Sequence, residues 1–122
     1  MIKPLFQRVV VGYNGSRSSL HTVLYAILMA KVYKCAVKVV SVVDIASIKY
    51  LTLQKFMVSQ EGESIAKSLE SDSEKNLDYV TDLAKSKGVK IETEIRKGAV
   101  WSEIITAADE FKADLILLGG AK

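Results

Sequence analysis

Two short stretches carry the residue types from which a ligand site could be built. Tyr13-Asn14-Gly15-Ser16 and Gly119-Gly120-Ala121-Lys122 both put glycine directly behind an apolar run. Glycine has no side chain to hold a ligand away, so main-chain N–H and C=O groups can come close to it. Asn14 and Ser16 add short hydrogen-bonding side chains. The chemistry such turns support is binding through the backbone; nothing beside them supplies a general base next to a positioned nucleophile.

The remaining reactive residue types read as structural. His21 is the sole histidine. It falls in the first turns of a helical pattern with no paired cysteine or aspartate, which is a surface or core histidine and not a catalytic one. Cys35, the sole cysteine, sits beside Ala36 at the head of an apolar run and reads as a small buried residue. One histidine and one cysteine do not make a metal site. There is no G-x-x-x-x-G-K-[ST] and no G-x-G-x-x-G motif, and Gly12-x-x-Gly15 alone is too short to signal phosphate binding. A receiver-type domain would need clustered acids after its first strand, which Tyr13-Asn14 does not offer. Trp101 falls in the first turn of a helical pattern, where packing is the expected role. We expect no catalytic and no metal-binding residue.

The elements that would hold the two glycine turns can be read from periodicity. Arg8 to Tyr13 is a β-branched run ending in the Asn14-Gly15 turn signal, and its continuous apolarity suits a strand buried on both faces. Ser16 can cap a helix running to Lys34, with Leu20, Val23, Leu24, Ile27 and Leu28 at helical spacing; Ala26, Ala30 and Val32 widen its apolar face, so it should be well covered. Ala36 to Val43 is a second strand, closing at Asp44. Ile45 to Gly62 fits no single period and reads as a long connection with a short helix inside; its apolar residues from Ile48 to Val58 suit either a lid or partner surface, or packing over the sheet edge. Glu63 to Lys87 reads as a long helix that Gly88 ends, Val89 to Ile95 as an edge strand, Val100 to Phe111 as a helix, and Asp114 to Leu118 as a last buried strand.

The order is βαβαβαβ. Right-handed crossovers make it a parallel, doubly wound α/β sheet, a Rossmann-like three-layer sandwich with strand order 3-2-1-4. Such a sheet has a crevice where its winding reverses, between the first and fourth strands at their carboxyl ends. That is where Tyr13–Ser16 and Gly119–Lys122 would meet.

Composition agrees with one ordinary globular core over residues 1–122: hydrophobic residues make up 49% and charged residues 25% of the chain. Seventeen Lys and Arg against fourteen Asp and Glu leave +3, scattered along the chain and too small to argue for a nucleic-acid partner. A lone cysteine fits a reducing compartment, and the N-terminus has no signal-peptide pattern, so a cytoplasmic location is expected. The most apolar stretch, Leu20 to Val32, is interrupted by Lys31 and falls short of the ~20 residues a membrane span needs, so no membrane partner is expected.

The residues resemble those of a known family. Val9-Val10-Val11-Gly12-Tyr13-Asn14-Gly15-Ser16 is similar to the opening strand and turn of the universal stress proteins, where a hydrophobic run leads into Asp-Gly-Ser. Val39-Val40-Ser41-Val42-Val43 resembles their second strand. Arg96-Lys97-Gly98 through Ile104 to Ala113-Asp114-Leu115-Ile116-Leu117-Leu118-Gly119 resembles their third-helix and fourth-strand block. In the nucleotide-binding branch of that family, the first-strand Asp and a backbone position late in the second strand hold adenine and ribose. A G-x2-G-x9-G-[ST] loop after the fourth strand wraps the phosphates.

Carried over, the resemblance puts Asn14 at the Asp position, Val42 at the second-strand position and Gly119 at the first glycine of the loop. Lys122 stands where the second glycine would be, and the rest of the loop lies beyond the sequence given. Asn14 would keep an acceptor for an adenine amino group without the charge; charged hydrogen bonds contribute roughly 1.5–3 kcal/mol against about 1 for neutral ones. The implied contacts are Tyr13, Asn14, Gly15, Ser16, Val42, Gly119 and Gly120, with ATP or AMP as the ligand and weak phosphate binding. Asp44 could face a ribose or simply end its strand, and Lys122 could meet a phosphate as a point charge. The fifth strand and fourth helix usual in the family are also not in the sequence. We therefore expect a fragment of a longer chain and an uncovered apolar edge, Leu115 to Leu118, that favours a homo-oligomer such as a dimer.

Three functions follow as expectations. The first is a non-catalytic stress-response domain with an ATP- or AMP-binding crevice. The second is a protein-interaction module of the same fold that acts through oligomerisation without nucleotide. The third, a true enzyme of a related nucleotide-hydrolase fold, has the least support in the residues.

Overall fold

The computed structural model describes residues 6–54 and 58–119. The elements run β1 (Arg8–Gly12), α1 (Arg17–Tyr33), β2 (Ala36–Val43), α2 (Ile45–Leu53), α3 (Ser59–Ser86), β3 (Glu92–Lys97), α4 (Val100–Phe111) and β4 (Leu115–Leu118). The strands form one parallel sheet in the order β3-β2-β1-β4, as expected. Its register pairs Val10 with Lys38 on one side and with Ile116 on the other.

β1 is apolar throughout because both of its faces are covered. Successive side chains of a strand point to opposite sides. Val9 and Val11 join a core with Val23, Ile27 and Ala30 of α1 and Leu77, Val80 and Ala84 of α3. Val10 joins the opposite core with Ile104, Ala107, Ala108 and Phe111 of α4. Fully burying one such valine contributes on the order of 1.5–3 kcal/mol, so β1 anchors both layers.

Three local expectations change and one, the short helix inside the long connection, holds. α1 is not covered all round: Tyr25, Leu28, Val32 and Tyr33 are exposed, because only one stripe of a helix can meet a sheet. The short helix in the long connection is α2, which starts directly after β2. α3 begins at Ser59, earlier than the polar pattern suggested. β3 lies at Glu92–Lys97 and not at Val89–Ile95, because the pairing runs from Lys38 with Glu92 to Val43 with Lys97. Val89 is buried and Ile91 packs against the same core, ahead of the strand and not within it. Phe56 and Met57 of the long connection lie outside the described residues. Gly88, with φ +74°, takes the left-handed conformation that stops α3.

Candidate functional site

Every helix of a βαβ unit starts at the carboxyl end of the strand before it. The first turns of α1, α2 and α4 therefore gather at the same end of the sheet, around a crevice of about 500 Å³. Its floor is Gly12, Val40 and Val42, with Leu118 and Gly119 on the β4 side. The start of α2, at Asp44, Ala46 and Ser47, and the start of α4, at Ala99, Val100 and Trp101, also line it.

Tyr13 and Asn14 of the first glycine-bearing turn and Gly119 of the second line this crevice; Gly15 and Ser16 are not among its lining residues. Gly119 is held so closely that a Cβ built on it would lie 2.7 Å from the Ser19 nitrogen and 2.8 Å from the Ser18 carbonyl carbon. Gly15 has φ +84° and faces Asn76 of α3, whose Nδ2 would be 2.6 Å from an added Cβ. Gly120 and Lys122 lie outside the described residues.

Asn14 has a different task from the one its position suggested. Its Oδ1 accepts from the Ser16 N–H at 3.0 Å and from the Ser19 hydroxyl at 2.8 Å. Ser16 Oγ in turn accepts from the Ser19 N–H at 3.2 Å, the expected cap of α1. The Asn14 oxygen is thus committed to its own turn and is not offered to a base amino group. Tyr13 likewise contributes main chain only: its ring is 5% exposed and packed in the α1/α3 core. Burial, with Tyr79 adding to it, raises the Tyr13 pKa above the ordinary phenol value, so the phenol stays neutral. Burial also pushes the Cys35 thiol up, away from reactivity.

Val42 sits where the ladder leaves its main chain open. In a parallel ladder a strand residue bonds to one side and the next to the other. Val40 O accepts from Tyr13 N on the β1 side at 2.9 Å, and Val43 O accepts from Gly98 N on the β3 side at 3.1 Å. Val42, two residues on from Val40, therefore turns its N–H and C=O toward β1. β1 has ended at Gly12, the partner of Val40, so these two groups point past its end into the crevice.

Charge is nearly absent from the described lining. Among the described residues Asp44 is its single ionisable acid or base other than Tyr13. Both Asp44 oxygens are engaged by Ser47, Oδ1 by its N–H at 3.1 Å and Oδ2 by its hydroxyl at 2.9 Å, which caps α2. A neighbouring cavity of about 510 Å³ shares Asn14, Val42, Asp44 and Val100 and is bounded by Ser41, Ser73 and Asn76. Ser41 donates to Ser73 there at 3.0 Å, which satisfies two buried hydroxyls.

Trp101 is the residue that sequence reasoning placed wrongly. It is 65% exposed and lines the crevice instead of packing in the core. Ser19 and Val100 were also not singled out. The signal that finds all three is topological: helix starts after parallel strands converge on the switch point. His21, by contrast, is an exposed residue that takes no part in the crevice. No helix among the described residues is long and apolar enough to cross a membrane.

Comparison with known proteins agrees with this arrangement. Residues 5–122 match the model of the universal stress protein family. Universal stress protein MJ0531 of Methanocaldococcus jannaschii is 32% identical over 115 residues, which cover 94% of this chain and 65% of that relative. Thus the chain spans less than two thirds of that relative's length. Among solved structures, a universal stress protein family member from Burkholderia pseudomallei superimposes with a TM-score of 0.78 at 19% identity, covering 93% of this chain and 81% of that one. A universal stress protein solved in complex with cAMP superimposes with a TM-score of 0.66 at 28% identity, covering 92% of this chain and 75% of that one. With the sheet order, the switch-point crevice and this match over nearly the whole chain, the protein is a member of the universal stress protein family.

Proposed function

We propose that this stress-protein domain is a non-catalytic regulatory domain that binds an adenine nucleotide, ATP or AMP, in the crevice between β1, β2 and β4. The observation that carries the reading is the main chain of Val42. Its N–H and C=O lie side by side at the floor of a slot whose described lining holds no lysine or arginine, the donor–acceptor pair that the edge of an adenine ring can match. The relative solved with cAMP, itself an adenine nucleotide, supports this choice. Asn14 and Ser16 shape the turn beside the slot, and Gly119 lets β4 close against α1. The described lining holds no histidine, cysteine or lysine, and its one carboxylate, Asp44, is engaged with Ser47 in capping α2, which favours a sensor over a hydrolase. Isothermal titration with ATP, AMP and cAMP tests the reading: saturable binding is expected, and no detectable heat at millimolar ligand, confirmed by equilibrium dialysis, would refute it.

A second reading, self-association, is favoured by a separate observation. Tyr25, Leu28 and Val32 make an exposed apolar stripe on α1, and among the described residues β4 pairs with β1 alone. A dimer is expected by light scattering, and Leu28→Glu should shift it toward monomer. A monomer at high concentration counts against this reading.

A further inference from the structure

The composition of the slot raises a question of force. A ligand entering it meets no lysine or arginine among the described lining residues, and the one carboxylate is already bonded to Ser47. Coulomb attraction therefore supplies little. The Val42 main chain orients a ring edge, but neutral hydrogen bonds exchanged with water add only modest affinity. What remains is contact with ring faces.

Among the described residues two aromatics line the slot, Tyr13 and Trp101. The Tyr13 ring is buried in the α1/α3 core and has no face to give. Trp101 has the opposite character. It stands in the first turn of α4, beyond the strand ends, while Ile104, Ala107, Ala108 and Phe111 fill that helix's inner face. Its indole is 65% exposed, and Ala46 and Ser47, which line the same slot, are small. A broad exposed aromatic face in a slot that also holds an open main-chain edge and small lining residues suits a flat ring.

We propose that Trp101 is the stacking wall of the crevice, holding a planar ring of nucleobase size and supplying most of the side-chain affinity. The inference rests on the adenine-nucleotide reading above and adds the residue that grips the base. Because the grip is on the base, it acts alike on adenosine, AMP and ATP.

Trp101 is the only tryptophan in the chain, so its fluorescence reports on this wall alone. Titration of the 122-residue chain with adenosine, AMP and ATP should change the emission in step with binding measured by calorimetry. Trp101→Ala should weaken all three ligands by roughly tenfold, the usual scale for losing one base–aromatic stack. Trp101→Phe should stay within a few-fold of the unaltered chain, and both variants should melt near its temperature because the side chain is mostly exposed. Two results would overturn the inference while leaving the nucleotide reading intact: calorimetric binding without a change in emission, or Trp101→Ala binding as tightly as the original. Absence of any binding to the unaltered chain would overturn both.

Discussion

Gly119 and Ser19 approach so closely that a single methyl group on Gly119 would stand 2.7 Å from the Ser19 main-chain nitrogen. The obstacle is backbone, and specifically the first turn of α1, which cannot swing aside as a side chain can. Gly119→Ala should therefore push the end of β4 off α1, widen the crevice and cost about 1–3 kcal/mol, the range for overpacking a tight contact. Urea denaturation measures this directly, and an unchanged midpoint would contradict the contact.

Gly12 offers a contrast. A Cβ there would meet Leu118 Cδ2 at 2.8 Å and Ile104 Cδ1 at 3.1 Å, both ends of flexible side chains. Alanine also restricts the unfolded chain, which returns roughly 0.4–1 kcal/mol. Gly12→Ala should remain within about 1 kcal/mol of the original protein. The ordering is the test: the Gly12 variant must be the more stable of the two in side-by-side denaturation.

Asn14→Asp should stabilise the fold. The side-chain oxygen already accepts from Ser16 N–H and the Ser19 hydroxyl at the start of α1. A carboxylate strengthens both bonds and faces the positive end of the helix, worth about 0.3–1 kcal/mol. Those contacts favour the charged form, so the folded pKa of the new carboxyl lies below its unfolded value of about 3.9. The gain is then present above that unfolded value and is lost as pH falls through the folded one. Comparing Asn14→Asp with the original at neutral and acidic pH checks both sign and window.

Asp114 governs acid sensitivity at the other end of the sheet. Its carboxylate accepts from Gln7 N at 3.0 Å and from Arg8 N at 3.1 Å, tying the start of β4 to the start of β1. The Gln7 and Arg8 N–H groups hold its pKa below the ordinary carboxylate value. A depressed folded pKa means stability that is complete above the unfolded value and disappears as pH falls through the folded one. Asp114→Asn should therefore flatten the loss of stability between about pH 5 and pH 2. A variant as acid-sensitive as the original would refute this role.

Glu94 adds to the same acid dependence from beneath α4. Burial pushes its pKa up, but Lys38 at 3.1 Å and Arg96 at 3.1 Å more than reverse that and leave it lowered. Arg96 also reaches Glu103 at 2.9 Å, so the strand and α4 share one ion-pair cluster. Arg96→Met should raise the Glu94 pKa, read by NMR titration of its carboxyl carbon. An unmoved titration would show that Lys38 alone holds Glu94.

The local patterns of the chain were sufficient for its architecture. The unbroken Val9–Val11 run could only be a strand covered on both faces, and the alternation of such runs with helical periods leaves few topologies besides a parallel 3-2-1-4 sheet. That topology in turn brings Tyr13–Ser16 beside Gly119. Side-chain commitments were beyond reach of the same reasoning, because they depend on contacts between residues far apart in sequence. Nothing local says that the Asn14 oxygen turns back onto Ser16 and Ser19, or that the Tyr13 ring leaves the crevice for the α1/α3 core. Trp101 is the clearest case. By helical phase it belongs with a packing face; only the end of the strands, decided by how β1, β2 and β4 align, leaves it standing over the crevice with its ring uncovered.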